Sequence, residues 1–417
     1  MSCGISLFSL YLGTSVLKNA GSMPPYGQGR LPAWDMQEDR KGIEMRGKVL
    51  AALLALSLLA GCAASEAAEK AVSDEAQEAS SGGAEAAEEE DSSSFQELFE
   101  IQAEGIDYLS VEGIHIPEGV TVTMVGKDSE SGFWKQVHAG AEQAVEDLNT
   151  ALGYTGDAKA ELIYDASAAG DVAEQIDIID QMLDKNPDAL IVGFVDINSG
   201  RTQLELAESN GVPVFSVDSA IENSLIVSTS QTDNYQAGAE AARQLASLIG
   251  DSGQAALLVH SSETETGIER ERGFIDEMEQ NHPDIEIVNI SYQEQDERSV
   301  DDIVAAVLSE YPDLKAYQAM NEETTEALVS ALELYGPEDR TVIAAGFDAS
   351  STEIGDIEDG KLAGAIVQNP YGMGYAAAVA AFREIARMEN ASVIDTGYCW
   401  IDAENLSDPA VQMLIYK

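Results

Sequence analysis

The chain has 417 residues, and its 75 Asp and Glu against 22 Lys and Arg give a formal net charge of −53 at pH 7. A polyanion of this kind is repelled by nucleic acid phosphates and by anionic lipid head groups, which excludes both as partners through simple electrostatics and favours uncharged ligands. The histidines, His115, His138, His260 and His282, are far apart and stand in no metal-ligand spacing such as H-E-x-x-H.

Residues 1–44, with the stretch "GSMPPYGQGRLPAW", carry neither a helical nor a strand period. They are expected to be an upstream extension ahead of a true initiator at Met45. Residues 45–61 then place Arg46 and Lys48 before an apolar run from Val49 to Leu59, the layout of a secretory signal. The run is shorter than the roughly 20 apolar residues that cross a bilayer. Its end, Leu59, Ala60, Gly61 and Cys62, resembles the lipobox of bacterial lipoproteins, which implies lipidation of Cys62 and an extracytoplasmic location anchored to the bacterial cell membrane. The competing reading is a short buried helix with an incidental cysteine. With Cys62 lipidated and Cys3 in the leader, Cys399 alone remains, so no disulfide framework is expected. Residues 62–94, rich in Ala, Ser, Glu and Gly, have too little apolar surface to offset chain entropy and read as an acidic tether. Residues 95–118 show no clear period and receive no assignment.

From Val120 onward short apolar runs alternate with stretches long enough for a helix. The runs are "VTVTMVG", "AELIYDA", "ALIVGF", "VPVFSVD", "LIVSTS", "AALLVHS", "IEIVNIS", "KAYQAM", "TVIAAGFD" and "LAGAIVQ". Strands separated by helices imply α/β architecture with parallel sheets and right-handed crossovers. Punctuation agrees: Gly211 in "NGVPV" suits a left-handed helix end, and Pro187 and Pro312 stand just before strands. The length from Val120 to the last residue favours two lobes over one sheet, although no internal repeat is visible.

Ligands of open parallel sheets bind beyond the carboxyl ends of the strands. Those ends carry Lys127 and Asp128, Asp218 and Ser219, Asn321, Asp348 and Gln368. Each residue taken alone is equally a helix N-cap or a turn residue; as a set they offer partners to a ring of hydroxyl groups.

Residues 120–417 resemble the ribose-type periplasmic sugar-binding proteins, the substrate-binding subunits of ABC importers. The likeness rests on "KDSESGFWKQVHAGAEQAVEDL", "VPVFSVDSA", "TDNYQAGAEAA", "ERERGF", "AMNEETTEAL", "GFDAS" and "AIVQNP". It implies a type 1 periplasmic binding protein fold, with two Rossmann-like lobes joined by a three-segment hinge. The lobes would be residues 120–232 with 369–396 and residues 233–368 with 397–417. It assigns sugar contacts to Asp218, Arg270, Asn321, Asp348 and Gln368, and an aromatic wall to Phe133 and Trp134, one facing the cleft and the other packing. Two positions depart from the ribose pattern: Ser219 follows Asp218 in place of arginine, and Gln295 stands where a second-lobe aromatic is common. The acidic calcium loop of glucose and galactose binders has no counterpart, so no metal and no cofactor are expected.

The expectation is therefore a monomeric, membrane-anchored binding lipoprotein that takes a monosaccharide or related polyol and serves an ABC transporter permease. The alternative is a sensor that presents the loaded form to a receptor kinase or chemoreceptor. Catalysis finds little support. "YGMGYAA" fits G-x-G-x-x-A only formally, since it follows Asn369 and Pro370 instead of a strand, and no G-x-S-x-G or Walker A pattern occurs.

Overall fold

The computed structural model describes residues 100–168, 170–339 and 341–416, so the leader, Cys62, the acidic tether and residues 95–99 lie outside the described residues. In chain order the first lobe contributes β3 (Thr121–Gly126), α1 (Gly132–Leu152), β4 (Glu161–Ala166), α2 (Val172–Leu183), β5 (Ala189–Val192), α3 (Arg201–Asn210), β6 (Val214–Val217) and β7 (Ile226–Gln231). They follow β1 (Gln102–Ala103) and β2 (Ile106–Asp107), a short antiparallel pair. The second lobe holds α4 (Asn234–Ile249), β8 (Gly253–Val259), α5 (Glu265–Asn281), β9 (Ile285–Tyr292), α6 (Val300–Glu310), β10 (Leu314–Ala319), α7 (Glu322–Tyr335), β11 (Ile343–Phe347), α8 (Ser351–Glu358) and β12 (Ala365–Gln368). The chain then returns for α9 (Pro370–Ile385) and β13 (Val393–Asp395), and leaves again for β14 (Tyr398–Ile401) and α10 (Pro409–Gln412).

Two six-stranded sheets result, in the orders β13-β7-β6-β5-β3-β4 and β14-β12-β11-β10-β8-β9. The orders correspond strand for strand, a duplication of plan that the sequence does not display as a repeat. They differ at one edge, where β13 runs parallel to β7 and β14 runs antiparallel to β12. The runs that make the inner strands are continuously apolar because helices cover both faces of each sheet. Accordingly "ALIV" of β5 and "AIVQ" of β12 are buried along their whole length. The chain passes between lobes at Thr232–Asp233, at Asn369 and at Thr396–Gly397, and each crossing sends the next element into the opposite lobe.

The segment that the sequence left unassigned is part of the first lobe. Ile101, Tyr108, Ile114 and Ile116 are buried in one cluster with Val137 and Ala141 of α1 and with Ala377 and Phe382 of α9. The Tyr108 hydroxyl accepts from Ala391 N (2.7 Å) and lies 3.4 Å from Asn390 Oδ1, to which it donates. An irregular chain enters the core here one side chain at a time, so it carries no period for a sequence reading to find.

Candidate functional site

In each lobe the corresponding strand, β6 or β11, ends on an aspartate held at positive φ: Asp218 at 62° and Asp348 at 86°. Asp and Asn tolerate this left-handed backbone better than other side chains bearing a Cβ. In both places the main chain is pinned to the neighbouring strand, Asp218 N donating to Ser230 O (2.9 Å) and Asp348 N to Ile366 O (2.7 Å). The turn lifts each carboxylate beyond its sheet edge into a cavity of ≈ 590 Å³ between the lobes, within the size range of small-molecule sites. A groove of ≈ 640 Å³ on the first lobe, lined by Asp188, Pro213 and Arg387, lies at the opposite, amino ends of β5 and β6 and gathers no strand-end set.

The first-lobe wall is built around Lys127 and Trp134. Lys127 Nζ is 2.8 Å from Asp218 Oδ2, contacts Ser219 Oγ, and lies 5.9 Å from the centre of the Trp134 ring. Ser131 caps α1, and the first turn then carries Phe133 and Trp134, whose rings meet edge to face at 5.8 Å. The outer edge of the Trp134 indole abuts Gly193, where any Cβ would collide with it. Both aromatics are buried and both line the cavity, in place of the expected division into one that faces the cleft and one that packs. Consecutive residues at a helix start project to either side of its end, and here both sides border the cleft.

The second-lobe wall explains two sequence motifs physically. Arg270 donates from Nε to Asn234 Oδ1 (2.9 Å) and from Nη1 to Met320 O (2.8 Å), and its guanidinium stacks on Phe347 at 4.5 Å. Asn234 and Gly238 come from D-N-x-x-x-G, and Arg270 and Gly273 from R-x-x-G-F. A Cβ at Gly238 would strike Arg270 O and one at Gly273 would strike Tyr235 O, so the two glycines let α4 and α5 approach closely enough for that arginine–asparagine contact. Asn321 both caps α7, accepting from Thr324 N (3.0 Å), and lines the cavity. Gln368 donates to Asp348 Oδ1 (2.7 Å) and accepts from Thr232 Oγ1 (3.1 Å), tying the carboxylate to two interlobe crossings.

Of the residues singled out from sequence, Lys127, Asp128, Phe133, Trp134, Asp218, Arg270, Asn321, Asp348 and Gln368 share this one cavity. Two do not line it. Ser219 lies behind the wall, its hydroxyl donating to Asp218 Oδ2 (3.0 Å). Gln295 is exposed and braces the turn after β8 instead, accepting from Ser262 N (3.0 Å). Because β9 runs on to Tyr292, Gln293 and Glu294 are the residues that reach the cavity. His260, which follows β8 as Lys127 follows β3, also lines it, as does Glu322 at the start of α7.

Burial, then the neighbouring Asp348 and Glu326, push the Glu322 carboxyl up to about 7. Burial, followed by the Asp218 charge, does the same to Glu265. His260 is held well below its ordinary value by burial and by the Arg270 and Lys127 charges, and so stays neutral. Asp348 is raised by burial and drawn back by Arg270 and Gln368. The far end of the chain also reaches this region: the Tyr416 ring packs on Phe133 at 6.4 Å and its hydroxyl lies 3.5 Å from Glu322 Oε2.

Comparison with known proteins assigns residues 122–387 to the periplasmic binding protein domain. The ribose import binding protein of Bacillus subtilis is 26% identical over 51% of this chain and 68% of its own length. A xylitol-binding protein of Mycolicibacterium smegmatis is 26% identical over 50% of this chain, which spans 59% of that protein. Among solved structures, an ABC transporter solute-binding protein from Agrobacterium vitis with bound α-D-tagatopyranose superposes with a TM-score of 0.65 at 25% identity, covering 72% of this chain and 99% of that one. Each of these is a binding protein and not an enzyme. With strands, crossings and matched residues in agreement across both lobes, the chain belongs to the periplasmic binding protein family, among its ribose-type members.

Proposed function

We propose that this chain is an extracytoplasmic lipoprotein, moored through Cys62, that closes its two lobes over a monosaccharide or related polyol and delivers it to an ABC-type permease. One observation carries the reading: Asp218 from one lobe and Arg270, Asn321, Asp348 and Gln368 from the other converge on a single cavity. Carboxylates accept from hydroxyls, the guanidinium donates in a fixed fork, and the amides do both. Phe133 and Trp134 cover the C–H face of a sugar ring. Hydrogen bonds to charged groups contribute about 1.5–3 kcal/mol each. Micromolar capture needs roughly 8 kcal/mol, so a few such bonds and one covered face suffice after ordering costs.

The crossings at Thr232–Asp233, Asn369 and Thr396–Gly397 supply the bending points for hinge closure, as in periplasmic binding proteins generally. The ligands named for the relatives, ribose, xylitol and tagatopyranose, support a small neutral polyol or its close derivative. A thermal-shift screen against monosaccharides and polyols tests the reading, because a ligand that binds only the folded state raises its midpoint. At least one compound should raise the midpoint, and Asp218→Ala and Arg270→Ala should each abolish the shift. Full affinity in both variants would remove the site. Release of a Cys62→Ser chain into the medium is the matching test of the anchor.

A further inference from the structure

The cavity carries more negative charge than a neutral ligand needs. Among the described residues that line it, Lys127 and Arg270 are the only cations, since His260 is neutral. Both are engaged: Lys127 pairs with Asp218, while Arg270 is held by Asn234 and Met320 O beside Asp348. Glu322 has no such counterpart. It forms no ion pair among the described residues, its backbone N–H donates to Asp348 Oδ2 (3.0 Å), and its carboxylate shares the second-lobe wall with Asp348 and Glu326.

Unpartnered polar atoms accompany that charge. Gln293 lines the cavity with its Nε2 donating to Glu323 (2.6 Å), while its buried Oε1 has no partner. His260 is 8% exposed, lines the cavity and leaves Nδ1 without a partner among the described residues; with Nε2 against the Thr264 and Thr266 hydroxyls, the tautomer sets whether Nδ1 donates or accepts, and a ligand hydroxyl meets it either way. A polyol with one hydroxyl replaced by a protonated amine supplies what these groups lack, namely a positive charge and additional N–H donors.

We propose that the ligand carries a basic nitrogen, as an amino sugar or amino polyol, whose ammonium group is received by Glu322 next to Asp348. The hydroxyls fall to Asp218, Arg270, Asn321 and Gln368. The proposal rests on the sugar-binding reading above and narrows it. Anionic derivatives such as uronates are disfavoured, because they would bring like charge to a wall of carboxylates.

The test is calorimetric titration of the full chain with matched triplets: D-glucosamine, D-galactosamine and D-mannosamine, each with its neutral parent and its N-acetyl form. In at least one triplet the amine should bind about tenfold or more tightly than parent and N-acetyl form, as expected for a charge-assisted contact in a partly desolvated site. That ratio should fall towards unity in Glu322→Gln. It should also shrink as pH drops below about 7, where Glu322 takes up its proton. If a parent sugar binds and no amine exceeds its parent, the proposal fails and the sugar-binding reading stands. If the amine preference persists undiminished in Glu322→Gln, the assignment to Glu322 is overturned. If no member of any triplet binds, the proposal fails, while the sugar-binding reading is decided by the wider monosaccharide and polyol screen.

Discussion

Replacing Asp218 by Asn isolates one charge with little change of shape, since Asn also tolerates the left-handed backbone at φ 62°. The structure sets the size of the effect. The two ends of the Lys127–Asp218 pair are 15% and 7% exposed, so the substitution leaves a mostly buried ammonium without its counter-charge. Removing one partner of a buried pair costs about 3–5 kcal/mol. Lys127 keeps Ser219 Oγ and the Trp134 face, which reduces the expected loss to about 2–3 kcal/mol. For a chain of this size that lowers the thermal midpoint by roughly 5 °C. Ligand affinity should fall about tenfold or more with the loss of a charged acceptor. Asp218→Ala should destabilise further, by about 1 kcal/mol, because alanine lacks the local tolerance for positive φ. Adding Lys127→Met to Asp218→Asn should recover stability but not binding. The assay is thermal unfolding followed by circular dichroism, paired with calorimetric titration. A single variant that melts within about 1 °C of the parent, or a double variant less stable than the single one, would refute the reasoning.

Gly193→Ala pushes a methyl group into the Trp134 ring; overpacking of this kind costs about 1–3 kcal/mol, and the displaced indole should weaken ligand binding and shift Trp emission. Tyr108→Phe leaves Ala391 N buried without its acceptor; a loss of about 1–2 kcal/mol and faster amide exchange at Ala391 are expected, whereas an unchanged melt would detach residues 101–116 from the fold. Glu265 and Glu322 titrate near 7 when folded, above the ordinary 4.5. Their stabilising contribution is complete below about 4.5 and is lost as pH rises through about 7. The ligand-free chain should therefore melt higher near pH 5 than near pH 8, with Glu265→Gln flattening the slope, and a profile that rises with pH would contradict the burial of these carboxyls.

The alternation of apolar runs and helical stretches made the α/β layering legible, and the rule of carboxyl ends then led to Asp218, Asn321, Asp348 and Gln368 without any coordinates. What escaped was set by geometry that leaves no period. Glu322 reads as an ordinary first-turn acid beside a helix dipole, and only its place against Asp348 makes it part of the wall. Gln295 came from the family resemblance alone; β9 ends at Tyr292, so Gln293 and Glu294 line the cavity, and one residue further on the side chain has passed to the rim. Ile101 to Ile116 packs through scattered contacts supplied by α1 and by α9, the latter remote in sequence.

The paired left-handed turns at Asp218 and Asp348 also limit how this site can diversify. Bulkier or branched residues at either position would carry about 1–2 kcal/mol of backbone penalty before meeting any ligand. Substitution there is thus biased towards aspartate, asparagine or glycine, a choice between charge, dipole and nothing. New ligand preferences arise more readily at cavity positions without that backbone demand, at Gln293 after β9 and at Glu322 in the first turn of α7, while the two aspartates persist as anchor points.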